Sequence, residues 1–72
     1  MTTTHAIDVV VNGEPRTVPA GATLLDLLEG LDLDPRSVVV EHNRHIVRRP
    51  ALGAVPLAPG DAIELVHFVG GG

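Results

Sequence analysis

Thr23-Leu24-Leu25-Asp26-Leu27-Leu28-Glu29-Gly30-Leu31 decides how the rest of this chain has to be arranged. Leu24, Leu27, Leu28 and Leu31 recur at i, i+3, i+4 and i+7, the spacing that stacks side chains along one face of an α-helix. Leu25 widens that stripe, while Asp26 and Glu29 fall on the wet side. Thr23 reads as the N-cap. Asp26 stands at N3, where a capping box places Glu or Gln, so a partial box is expected. Gly30 and then Pro35 disfavour helix beyond about Leu33. One helix with one apolar face needs a sheet to cover it.

The flanks supply that sheet. Upstream, Ile7, Val9 and Val11 alternate with Ala6, Asp8 and Val10, the period of a strand. Asn12-Gly13 follows, a hairpin signal because both residues tolerate positive φ. Arg16-Thr17-Val18 is the return strand, and Pro19 places it at a sheet edge. Downstream, Val38-Val39-Val40-Glu41-His42 is rich in β-branched residues, and Asn43-Arg44 turns it into His45-Ile46-Val47. The stretch Arg48 to Ala58 reads as irregular or one short helical turn. Pro59-Gly60 fits a type II turn, which launches a last strand from Ala62 to His67. The order β-β-α-β-β-β implies an α+β, β-grasp (ubiquitin-like) architecture, a mixed sheet of about five strands on one helix. Residues 1–69 are expected to form this domain, and 70–72 a flexible glycine tail.

Composition narrows the function classes. Seventy-two residues make one small domain, able to bury only about 60% of its unfolded surface. That leaves little room for an internal active site. Nine acidic residues against five arginines give a net charge of −4, which argues against nucleic acid as a partner. There is no lysine, so the chain cannot link to itself through lysine isopeptides, and no cysteine, so it cannot hold sulfur as a thiol or persulfide. No apolar run approaches the ~20 residues of a membrane span and nothing resembles a signal peptide. The expectation is a cytoplasmic protein without a membrane partner.

Chemistry concentrates at the C-terminal end. Gly70-Gly71-Gly72 follows the last strand directly. Three extended residues reach roughly 10 Å, and without side chains they suit a narrow tunnel in another protein. Such an end presents the carboxylate of Gly72. Other constellations carry less. His42 and His45, on the arms of a tight turn, are expected to be exposed rather than to hold a metal, which needs three or four converging ligands. Asp32 and Asp34 border a proline, where carboxylates cap turns, and Ser37 has no nucleophile motif around it. Arg36, Arg44, Arg48 and Arg49 form a locally basic stretch, either a solvated face or one that steers an acidic partner. Strand parity sends Ile63 and Leu65 inward and Glu64, Val66 and Phe68 outward. Val10 goes outward with Asp8, and Val39 with Glu41. Val10, Val39, Val66 and Phe68 are therefore expected to form an apolar docking patch on the sheet face away from the helix.

The chain resembles the ubiquitin-like sulfur carriers of the thiazole pathway in thiamin biosynthesis, the ThiS family. The likeness runs through Val11-Asn12-Gly13-Glu14, Thr23-Leu24-Leu25-Asp26-Leu27-Leu28 and Val38-Val39-Val40-Glu41-His42-Asn43. It continues through Ile46-Val47 and from Gly60-Asp61-Ala62-Ile63-Glu64-Leu65 to Val66-His67-Phe68-Val69-Gly70-Gly71-Gly72. The ending is the specific part. Asn43-Arg44 stands where many relatives have Asn-Gly.

The resemblance implies a carrier rather than an enzyme, with no cofactor of its own. A ubiquitin-activating-like adenylyltransferase would use ATP and magnesium to activate the carboxylate of Gly72. Sulfur from a cysteine desulfurase or another donor would then convert it to a thiocarboxylate, which thiazole synthase would consume. Gly70 and Gly71 would thread the tail into the partner. The residues are compatible with this, because a carboxylate is a poor electrophile until activated and no phosphate-binding loop is recognisable here. Carriage for molybdopterin or tRNA thiolation, and ligation as a protein modifier, stay open as alternatives.

Overall fold

The computed structural model describes residues 5–68. Strands β1 (Ala6–Val11) and β2 (Glu14–Pro19) form a hairpin, followed by helix α1 (Leu24–Gly30), strands β3 (Val38–His42) and β4 (His45–Val47), and strand β5 (Ala62–His67). The expected order is observed. The sheet runs β2-β1-β5-β3-β4, with β5 parallel to β1 and antiparallel to β3. The last strand in sequence is thus the central strand in space, and β2, with its two prolines, takes the edge as Pro19 foretold.

The core lies between the helix and one face of this sheet. Leu24, Leu27 and Leu28 bury the helical stripe against Val9, Val11, Val38, Val40, Ile63 and Leu65. Leu24, Leu28 and Ile63 have no exposed surface at all. Leu52, from a 3-10 turn over Arg49–Ala54, and Leu57 close the core between β4 and β5 in sequence.

Two local readings need correction. The capping box is complete rather than partial: the Thr23 hydroxyl accepts from the Asp26 N–H at 3.2 Å and the Asp26 carboxylate accepts from the Thr23 N–H at 2.9 Å. Aspartate is long enough to close it. The helix also stops sooner than the glycine and proline required. Leu31 is the C-cap and Asp32, at φ +63°, takes the left-handed position that glycine usually fills. The Leu33 N–H reaches the Leu28 carbonyl and the Asp32 N–H the Glu29 carbonyl, the paired bonds of a Schellman ending. Leu33 then packs back on the core.

Candidate functional site

The region that presents the C-terminal segment is built from the middle of the sheet. Strand β5 pairs with β1 only at Ala62 and Ile63 but with β3 over residues 63–67, so its last residues are held from the β3 side. The last backbone anchor described is the Phe68 N–H, which donates to the Ser37 carbonyl at 2.9 Å. Gly70, Gly71 and Gly72 lie outside the described residues.

The outward face follows the expected parity, with one separation. Val66 lies directly across from Val39, and Val66 and Phe68 are 58% and 54% exposed. Val39 is half-buried. These three residues form one continuous apolar surface beside the exit of the chain. Val10 is outward and exposed, but it stands opposite Ala62, four residues from Val66, or about 13 Å along the strand. Glu64 stands between them on the same face. The register of the parallel β1–β5 pair therefore sets Val10 apart from the other three.

Ile46, 67% exposed, joins the surface from the other side, because it pairs with outward-facing Glu41. The two-residue Asn43-Arg44 turn could have found it: it sets Val47 opposite inward Val40, so alternation turns Ile46 outward. Glu41 and Glu64 are themselves directly opposed across β3 and β5.

The basic stretch is divided. Arg44 sits in the β3–β4 turn at φ +73°, far from the exit of the chain. Arg36, Arg48 and Arg49 instead line a groove of about 490 Å³ together with Val39, Ile46 and Phe68. The groove opens where β4, only three residues long, leaves Val38 and Val39 unpaired on that side of β3. Asp34 pairs with Arg36 at 3.0 Å. That bond, with the Arg36 backbone N–H, holds the Asp34 carboxyl below the usual carboxylate range, and Arg49 adds to the effect.

At the other end of the sheet, His42 is not the exposed hairpin residue expected. Its Nε2 donates to Asp61 at 2.7 Å, and both side chains are largely covered. The Asp61 carboxylate also accepts from the Ala58 N–H at 2.9 Å and from the Asn43 amide at 3.1 Å. Burial acts to raise the Asp61 pKa, but the bonds from His42, Ala58 and Asn43 outweigh it and leave the group below its ordinary value. This knot fixes the Pro59-Gly60 turn that launches β5. It is structural, and among the described residues no three metal-binding side chains converge. No described helix is long and apolar enough to cross a membrane.

The ThiS family model matches residues 9–72. The chain belongs to the ThiS family. It is 44% identical over 50 residues to the sulfur carrier protein ThiS of Bacillus subtilis, covering 69% of this chain and 76% of that one. It is also 52% identical over 62 residues to a thiazole synthase of Magnetococcus marinus, and 42% identical over 64 residues to one of Paramagnetospirillum magneticum. Those matches take in 86% and 89% of this chain but only 19% and 20% of the synthases. This chain thus spans about a fifth of the length of these relatives. The crystal structure of the thiamine biosynthesis protein ThiS from Geobacter metallireducens superimposes with a TM-score of 0.79 at 35% identity, over 92% of this chain and all of that one. The sheet and helix described above are therefore the ThiS β-grasp.

Proposed function

We propose that this chain carries sulfur for the thiazole ring of thiamin on the C-terminal carboxylate of Gly72. A partner adenylyltransferase, using ATP and magnesium, joins that carboxylate to AMP and releases pyrophosphate. Sulfur at the level of hydrosulfide, supplied from a cysteine desulfurase or another donor, attacks the acyl carbon. AMP leaves, and a thiocarboxylate remains. Thiazole synthase then takes the sulfur and the carboxylate returns. The chain acts as a stoichiometric carrier: it has no cysteine or lysine to hold an intermediate elsewhere.

The observation that carries this reading is the family match running to Gly72. The geometry at the end of β5 supports it, since Phe68, two residues before Gly70 in sequence, is anchored to the Ser37 carbonyl beside the exposed Val66 and half-buried Val39. Two thiazole synthases that contain a segment like this chain favour thiazole over molybdopterin or tRNA thiolation as the product served.

Intact-mass measurement after incubation with the adenylyltransferase, ATP, magnesium and a sulfur source tests it. Exchange of one carboxyl oxygen for sulfur adds about 16 mass units by atomic mass, and removal of Gly72 is expected to abolish the gain while the fold persists. A normal gain on the shortened chain would refute Gly72 as the attachment point.

A further inference from the structure

We infer that the groove bounded by Arg36, Arg48 and Arg49 is a docking site for a carboxylate-bearing ridge on thiazole synthase. This rests on the partner proposed above. The argument begins with charge. The molecule carries an excess of acid, yet three of its five arginines line this one groove, whose walls include no Asp or Glu. Arg36 is engaged by Asp34, but among the described residues Arg48 and Arg49 have no ion pair. Three arginines against one aspartate leave the rim positive on a molecule that is otherwise negative.

Position adds to this. Phe68, the residue from which the C-terminal segment departs, forms part of the groove wall. A ridge seated here lies against Phe68, the last described residue before the glycines. The rest of the lining is largely apolar, including the buried Val38, Val40 and Leu52 and the more exposed Val39 and Ile46, which suits a ridge with an apolar contact between its carboxylates. Glu41 and Glu64 stand just beyond on the same face. They repel a carboxylate displaced along the sheet, so attraction at the arginines and repulsion at the glutamates define one orientation. Exposed charges of this kind act chiefly on encounter, and their effect falls with salt.

The test measures association of the full chain with the thiazole synthase of the same genome, at low salt and at about 0.15 M. Arg48→Glu and Arg49→Glu, singly and together, are compared with Arg16→Glu on the far edge strand, which alters net charge as much as either single variant. The double variant is expected to slow association by about tenfold or more at low salt and to flatten its salt dependence. Arg16→Glu is expected to do neither, and thermal melts should show all variants folded. Equal effects from Arg16→Glu and the groove variants, or none from the latter, overturn the inference. Failure of the unaltered chain to bind the synthase overturns it as well, whereas a mass gain with the adenylyltransferase would leave the carrier chemistry standing.

Discussion

Asn12 shows how much one residue can hold that its sequence signal does not announce. Asn12-Gly13 is legible as a turn, and both residues do adopt positive φ, +51° and +83°. The side chain does more. Asn12 Oδ1 accepts from the Leu65 N–H at 2.7 Å, extending the β1–β5 ladder past the end of β1. No local pattern reveals a partner that distant. Arg44 presents the converse case, a residue at φ +73° with a side chain ill suited to it. Left-handed backbone costs an L-residue about 1–2 kcal/mol, of which glycine's greater unfolded freedom cancels part. Arg44→Gly is therefore expected to stabilise the fold by about 0.5–1 kcal/mol in denaturant titrations. Phe68 is the only aromatic residue and is more than half exposed. Phe68→Ala should weaken partner binding by about 1–3 kcal/mol, as loss of an interface anchor does, with little change in melting temperature. A large fall in melting temperature with unchanged affinity would make it a core residue instead.

Among the elements, helix and strands were readable because their apolar residues recur with the period of the structure that buries them. The helix end and the turn before β5 were less so. Asp32 ends the helix in a conformation normally left to glycine, and Asp61 is buried although its sequence context is an ordinary turn. What fixes Asp61 is the convergence of His42, Asn43 and Ala58, residues brought together only by the β3–β5 pairing. Because Asp61 has a lowered pKa in the folded state, its contribution to stability is complete above the unfolded value near 3.8 and is lost as pH falls through the folded value. The stability gap between the native chain and Asp61→Asn, followed by urea unfolding, should be widest near neutrality and close below about pH 4. A gap that does not vary with pH would remove the carboxylate's charge from the account.

At the scale of the whole molecule, the five strands and the helix described above share one core. Alternation placed Val39, Val66 and Phe68 together, but the exclusion of Val10 depended on the β1–β5 register, which alternation along single strands does not determine. Gly71→Val is expected to block adenylation without shifting stability by more than about 0.5 kcal/mol, the range for substitutions outside the packed core. Normal adenylation of that variant would show that the partner's tunnel does not require bare backbone.

The central place of β5 also bears on the order in which the molecule comes into being. Before β5 emerges from the ribosome, the β1–β2 and β3–β4 hairpins have no shared strand, and the Asn12–Leu65 bond spans 53 positions of sequence. Local hairpins form early, whereas contacts this distant close late. Strand β5 completes the sheet, so a nascent chain stalled short of it has no finished domain. Any molecule with a completed sheet has already been synthesised through the strand that joins its two hairpins.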